Sequence, residues 1–528
     1  MEPERARMRP VTPSSDHAAP SLLRYAPAFV LLAIAIADAG RIADTDLWGH
    51  IAFGRLFLQT GAVSHDPFNY SVPGHAWAVH EWLAELTMAR IYDSFGILGL
   101  KLWKFACTAL TIIIVEIAVA ETGADPPLQA AVLIVVAVAL MPLMQFRPQL
   151  YTYVFLAALI ALLARENYRR RAPLWLAVPI LALWANLHGG FVIGVVVLAL
   201  YTGVVAIESL IGHSDFHRCA RLAAVTAASA AATLANPYGL EAWSHVLSVL
   251  DNPVTRREMV DWQPLLAVLS NSPGLHSGAI FFALIVALLM VLALAFIMTP
   301  RGGDLPLIAI AAVMGAATFN VVRNMPLAVI AAAAPLARHL HLLGNKMRGA
   351  GAPASATFAP SGFNRVGQIV IFAGALMLTL GDRGLLSSRI PAAMDYPAGA
   401  VAFVRSHQLS GNLLARFEWG QYAIFHLAPA SKIFVDGRVD LVYPPQVIDE
   451  YLDFFAGRQR GARLLDSYPH DYVLMPTGSP ADATLSARTD WRPIYRDPVA
   501  VLFARANSPA AHLPGVPFNA TAPPSSFP

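Results

Sequence analysis

The sequence predicts a polytopic α-helical membrane protein with a small C-terminal α/β domain. Three observations lead there. Of 528 residues, 56% are hydrophobic and only 13% charged, whereas a soluble domain carries about 25% charged residues. Apolar runs of roughly 14–23 residues recur from residue 22 to about 381, long enough for lipid to be their solvent. Beyond about residue 392 the pattern changes to short strand-like runs alternating with helical ones.

The runs at 22–40, 97–118, 128–146, 149–164, 174–187, 190–211, 222–236, 277–299, 305–321, 325–342 and 366–381 predict about eleven spans within a transmembrane domain at 22–383. The run after Arg24 ends in Ala-Asp-Ala-Gly-Arg and reads as a first span, not a cleavable signal. The loops orient the bundle. Arg5, Arg7, Arg9 and Arg24, then Arg165, Arg169, Arg170 and Arg171, then Arg218 and Arg221, then Arg301, then Lys346, Arg348 and Arg365 fall on one side. The positive-inside rule makes that side cytoplasmic. The N-terminal tail 1–21 is then cytoplasmic and, being polar and proline-containing, disordered. The loop 41–96, the loop 237–276 and the C-terminal domain lie outside. A net charge of +3 gives no argument for nucleic acid. Cys107 in an apolar run and Cys219 in a short basic loop do not suggest a disulfide.

The C-terminal domain occupies 392–506, ahead of a Pro/Ala/Ser-rich tail at 507–528 that reads as disordered. Strands are expected at Leu413–Phe417, Lys432–Val435, Tyr472–Met475 and Ala500–Ala504, with helices at 397–408, 419–427, 444–456 and 480–488 between them. Asp436-Gly437-Arg438 follows a strand. It reads as a tight turn fixed by an Asp–Arg pair, or as a contact with the membrane domain or a glycan.

The functional signal is the polarity of the outer span ends. The first outer loop opens with Asp44-Thr45-Asp46-Leu47-Trp48-Gly49-His50. A helix starting near Thr45 puts Asp46 and His50 on one face at i and i+4. Running to about Gln59 with an apolar stripe, it suits a helix lying in the interface plane. A turn-rich stretch with His65-Asp66-Pro67 follows. Trp77, His80, Glu81, Trp82 and Glu85 then predict a second interfacial helix, with Trp77, Glu81 and Glu85 on one face. Other outer span ends carry Arg147-Pro148-Gln149, His188-Gly189-Gly190, Asn236-Pro237 and Arg323-Asn324, and the loop between holds Asp261 and Trp262. Charges near membrane depth are costly and usually functional. Each also has a plainer reading. Arg147 and Arg323 can snorkel to headgroups, His188-Gly-Gly can be a tight turn, and Asp44 can cap the first helix.

An acidic motif after span one, a first outer loop with two interfacial helices, many spans and an outer C-terminal domain together resemble the GT-C superfamily of membrane glycosyltransferases. Its members include the protein O-mannosyltransferases and the aminoarabinose transferases of lipid A. Asp46-Leu47-Trp48-Gly49-His50, His80-Glu81-Trp82-Leu83-Ala84-Glu85, Asn186-Leu187-His188-Gly189-Gly190, Asn236-Pro237 and Val435-Asp436-Gly437-Arg438 are also similar to strings in bacterial GT-C-like proteins with no assigned substrate. The resemblance implies a bacterial inner-membrane enzyme with a polyprenyl-phosphate-sugar donor and an acceptor glycan, lipid or protein outside the membrane. It implies an acidic first-loop residue as base: Asp46 matches best, then Asp44, with Glu81 a further candidate. The Asp-x-Asp spacing departs from the adjacent acidic pair of the O-mannosyltransferases, which leaves the acting residue and a divalent-cation requirement open.

An inverting transfer needs a carboxylate to take the acceptor proton and cations to stabilise the departing phosphate. Trp48, His50, His80, Glu85, Arg147, His188 and Arg323 are the substrate-binding candidates. Two alternatives stand beside the enzyme. A transporter or flippase of lipid-linked glycans should show repeat symmetry and midplane charges, whereas Asp38, Glu116 and Glu208 lie near span ends. A non-catalytic envelope polysaccharide-assembly factor would keep the fold without activity.

Overall fold

The computed structural model describes residues 43–513, apart from 141–143, 213–214, 252–255, 258, 272–275, 300–302, 349–389, 392–393, 440–441 and 459, together with 526–527. The spans expected at 22–40 and 366–381, the N-terminal tail and most of the C-terminal tail lie outside the described residues.

Helices occupy Leu47–Thr60 (α1), Trp82–Ala120 (α2), Pro126–Leu140 (α3), Gln149–Arg169 (α4), Ala177–Leu187 (α5), Phe191–Leu210 (α6), Phe216–Ala232 (α7), Leu240–Asp251 (α8), Leu265–Asn271 (α9), His276–Met298 (α10), Leu305–Asn320 (α11) and Met325–Arg348 (α12). Among the described residues, four helical segments are long and apolar enough to cross a membrane: Trp82–Ala120, Gln149–Arg169, Phe191–Leu210 and Val322–Arg348. Four shorter apolar helices lie at Pro127–Leu140, Leu174–Leu187, Ile285–Met298 and Leu305–Asn320. The run expected at 222–236 falls mostly within α7, which carries Arg218 and Arg221 and belongs to neither group.

The centre of the bundle is α12, which packs on α2, α3, α4, α10 and α11. Ala328 and Ala331–Ala334 of α12 are buried, and small side chains let helix backbones approach closely where lipid supplies no hydrophobic drive.

Two expectations for the first loop are corrected. The second interfacial helix begins at Trp82, not Trp77. The Trp77 N–H is spent on Ser64 O, beside a bridge between His65 and Ala76, so the chain is extended there and Trp77 does not share the Glu81/Glu85 face. That helix is also continuous with the next span. A bend at Gly96, whose φ of 60° suits only glycine, joins the two parts. The first interfacial helix, α1, is not laid bare on a membrane surface. Leu47, Trp48, Ile51 and Phe53 are buried, because α2 packs on one side and the C-terminal helix Phe417–Leu427 on another.

The C-terminal part carries strands at Ile390–Pro391 (β1), Gly411–Ala415 (β2), Ser431–Ile433 (β3), Tyr472–Pro476 (β4), Trp491–Arg496 (β5), Ala500–Arg505 (β6) and Ser526–Phe527 (β7). β1 pairs with β7, and the other five form one sheet in the order β3-β2-β4-β6-β5. β2 is parallel to β3 and β4, while β6 is antiparallel to both its neighbours. Helices Ala398–Ser406, Phe417–Leu427, Pro445–Phe455 and Pro480–Ser486 lie between the strands. The sequence reading missed the short β1 and β7 and, within the five-stranded sheet, β5. Pro493 argues against a central strand, and β5 is an edge.

The first outer loop is stitched to this sheet. Asn69 bridges Ile433 in parallel at the β3 edge, with Ile433 N–H donating to Phe68 O at 2.8 Å. Ser71 Oγ donates to Phe434 O at 2.6 Å, and Tyr70 OH meets His470 Nδ1 at 2.6 Å.

Candidate active site

A cavity of about 650 Å³ lies between the outer helix ends and the C-terminal domain. Its wall takes side chains from the starts of α1 (Asp46, His50), α2 (His80, Glu81, Glu85) and α4 (Arg147, Tyr153). The α5–α6 turn supplies His188, the turn before α12 supplies Arg323, and the C-terminal domain supplies Gln421, Gly437 and Arg438.

The carboxylates of the first motif meet one guanidinium. Arg147 Nε lies 2.8 Å from Asp44 Oδ1, and Arg147 Nη2 lies 2.9 Å from Asp46 Oδ2. Asp44 also accepts the Asp46 backbone N–H at 2.9 Å, so it orders the start of α1 while holding Arg147. Asp44 itself is not in the cavity wall; Asp46 is. Burial pushes Asp46 up to about 6, against the opposing pull of Arg147. Burial acts on Asp44 in the same sense, but the Arg147 charge and hydrogen bond outweigh it and hold the group below its ordinary value. The backbone of the C-terminal domain presses against this pair. A Cβ on Gly437 would sit 2.7 Å from both Asp46 Oδ1 and Gln421 Nε2, so a larger residue there displaces those side-chain ends.

Glu81 centres a histidine group. Its Oε1 lies 3.3 Å from His188 Nε2 and 3.6 Å from His80 Nε2. The tautomer of His188 follows from its neighbours. Gly190 N–H donates to His188 Nδ1 at 2.9 Å. Trp184 Nε1–H occupies Thr152 Oγ1, which frees the Thr152 hydroxyl to donate to the same Nδ1 at 2.8 Å. The proton of neutral His188 is therefore on Nε2, facing Glu81. Burial, aided by the Arg323 charge, lowers His188 to about 3, so it stays neutral. Burial raises Glu81 to about 7, with His50 acting against it. His80, in ring contact with His245 at 4.5 Å, is held well below its ordinary value by burial and that neighbour. His50 goes the other way: burial disfavours its charge, but Glu85, 3.0 Å from Nδ1, outweighs it.

Arg323 stands at another wall. It stacks 5.3 Å over Trp262, and its Nη1 is 3.4 Å from Asp261 Oδ2. Arg147 Nη1 approaches the same carboxylate at 3.9 Å, so Asp261 links the two guanidinium groups.

His50, Glu81 and Glu85 offer ligand atoms that all lie within 4.8 Å of one another. One imidazole and two carboxylates make a donor set for a divalent cation.

Of the residues singled out in the sequence, Asp46, His50, His80, Glu81, Glu85, Arg147, His188 and Arg323 line the one cavity. Trp48 does not, which corrects its reading as a substrate contact. It is 0% exposed and packs with its ring 4.4 Å from Tyr396, tilted, and 5.5 Å from Tyr422, edge to face, in the C-terminal domain. The Asp436-Gly437-Arg438 turn combines both of its readings. Arg438 pairs with Asp436 at 2.6 Å and with first-loop Asp66 at 2.9 Å.

No known family profile matches this sequence, and no curated protein matches it. Solved structures do. Archaeoglobus fulgidus oligosaccharyltransferase AglB, in complex with an inhibitory peptide and a dolichol-phosphate, superposes with a TM-score of 0.57 at 13% identity, covering 86% of this chain and 69% of that one. The same archaeal enzyme in complex with Zn and sulfate gives 0.56 at 14% identity, covering 85% and 68%. Mycobacterial arabinofuranosyltransferase AftD gives 0.53 at 16% identity, covering 92% of this chain and 42% of that one. The fold is that of the GT-C membrane glycosyltransferases, and the chain is a membrane protein.

Proposed function

We propose, from the fold shared with the GT-C glycosyltransferases, that this chain moves a sugar from a polyprenyl-phosphate donor to an extracytoplasmic acceptor, with Asp46 as base. The observation that carries this reading is the position of Asp46. It faces the cavity between Arg147 and the Gly437 backbone, with a second cation, Arg323, in the same wall.

The chemistry follows from the geometry. The acceptor hydroxyl or amine attacks the anomeric carbon and gives its proton to the Asp46 carboxylate, which is ionised at neutral pH. The bond from the anomeric carbon to the phosphate oxygen breaks, and the polyprenyl phosphate leaves with the electron pair. Arg323 meets the charge gathering on that phosphate, because Arg147 is already held by Asp44 and Asp46. Glu81 is the reserve base: burial brings it closer still to neutrality. His50, Glu81 and Glu85 are the residues that would hold a divalent cation, which would offset donor phosphate charge.

The test is sugar transfer from a short-chain polyprenyl-phosphate donor by the full chain in nanodiscs. Asp46→Asn keeps the size and loses the base, so the rate falls about 10²–10⁴-fold, with expression and melting temperature near wild type. Wild-type transfer by Asp46→Asn would move the role to Glu81. Failure of the wild type to transfer any of a panel of sugars would favour the assembly-factor reading.

A further inference from the structure

The C-terminal domain reaches into the cavity through Arg438, and the guanidinium has a donor to spare. Its Nε donates to Asp436 Oδ1 at 2.9 Å. Its Nη2 donates to Asp436 Oδ2 at 2.6 Å and to Asp66 Oδ2 at 2.9 Å. Nη1 is buried and has no partner, although Arg438 is only 4% exposed. The group cannot turn to find one. It is stacked 4.4 Å over Trp77 and 4.7 Å over Phe53.

Glu85 shows the complementary deficit in the same cavity wall. Its Oε1 is spent on His50 Nδ1 at 3.0 Å, while Oε2 is buried without a partner at 5% residue exposure. Arg438 and Glu85 line the same cavity, and no direct ion pair joins them. An unmet buried polar group costs about 1–3 kcal/mol, and Arg438 Nη1 and Glu85 Oε2 are a donor and an acceptor among the unmet polar atoms of this cavity wall.

We propose that Arg438 and Glu85 form a hydroxyl-binding subsite that reads a neutral sugar ring. This rests on the transferase reading and names its substrate class. A single group that fills both positions accepts from Nη1 and donates to Oε2. A hydroxyl does both, a phosphate oxygen only accepts, and an ammonium only donates. Local charge agrees. Asp66 and Asp436 both lie on one guanidinium, which leaves this corner net negative and unsuited to phosphate. The donor phosphate belongs with Arg323, and the sugar extends toward the C-terminal domain.

Binding to the full chain in nanodiscs tests this, with short-chain polyprenyl phosphates that are bare or carry mannose, glucose, galactose or arabinofuranose. The variant Arg438→Lys keeps the cation in its cage and removes Nη1. At least one neutral sugar should tighten binding over the bare lipid. Arg438→Lys should weaken that sugar-lipid about tenfold and leave the bare lipid within about twofold. Within a monodeoxy series of that sugar, one position should lose affinity in the wild type and lose nothing further in Arg438→Lys. If Arg438→Lys fails to melt cooperatively, the monodeoxy series on the wild type carries the test, in which one position must lose affinity and the others must not. Equal binding of bare and sugar-bearing lipids, or equal losses for every deoxy position in wild type and variant, overturns the subsite and leaves an ordered water as the bridge. Binding of neither lipid above phosphatidylglycerol overturns the transferase reading itself.

Discussion

Both ends of α4 carry charge shielded from solvent, partly at the start and fully at Glu166, and they use it differently. At its start, Arg147 holds two carboxylates, one of which faces a cavity. At its far end, Glu166 accepts from Arg218 Nε at 3.3 Å and Arg221 Nη2 at 2.8 Å. Nearby, Asp304 accepts from Tyr168 OH at 3.0 Å and lies 3.2 Å from His339 Nε2, whose Nδ1 meets Thr299 Oγ1 at 2.7 Å. None of these far-end groups lines the cavity. The helices between them are joined by charge, and the charge is spent on joining. A cluster of ionisable groups in a bundle is therefore no mark of activity by itself. Open space in front of the carboxylate is what separates the two ends.

Removing one carboxylate from each end is the strongest way to break this contrast. Asp46→Asn should lose the 10²–10⁴-fold in rate given above and little stability. Glu166→Gln should lose about 3–5 kcal/mol of stability, because Arg218 is left buried with a weakened partner. Transfer per folded molecule should hold. Thermal melts beside single-turnover transfer separate the two, and equal loss of turnover would erase the distinction. A smaller effect sharpens the outer end. Arg323→Ala should weaken binding of a bare polyprenyl phosphate about tenfold, read by titration into nanodiscs; unchanged affinity would assign the phosphate elsewhere. The smallest effect is expected from Asp44→Asn. The amide oxygen still accepts from the Asp46 N–H and faces Arg147, so stability should fall by about 1 kcal/mol or less and transfer should persist. A loss equal to that of Asp46→Asn would make the two aspartates one functional unit.

The helices of the bundle were legible because lipid demands long apolar runs, and nine of the expected runs fall on helices of the described residues. The cavity residues Arg147, His188 and Arg323 were legible because each sits where an apolar run ends, and Asp46 and Glu81 because they open the two helices expected in the first loop. The pairing of Arg438 with Asp66 was not. Their positions are 372 residues apart, and no periodicity reports a contact of that range. Aromatic residues misled for a related reason. Trp48 reads as a substrate contact and Trp77 as part of an interface belt, but the C-terminal domain covers the first and Arg438 stacks on the second. Gly437 carried no legible signal beyond a turn, since the side chains that crowd it, Asp46 and Gln421, come from other elements.

The stitching of the first loop to the last sheet also sets a timetable. Asp66 is made early and Arg438 late, with 372 positions between them. At ribosomal speeds of about 5–20 residues per second this is a wait of roughly 20–70 s. Throughout that interval Phe53, Phe68 and Trp77 lack the guanidinium they later enclose, and the β3 edge that will receive Asn69 does not yet exist. The nascent chain is inserted long before its cavity is walled. Completion of the last domain is the moment at which Gln421, Gly437 and Arg438 first close the cavity wall.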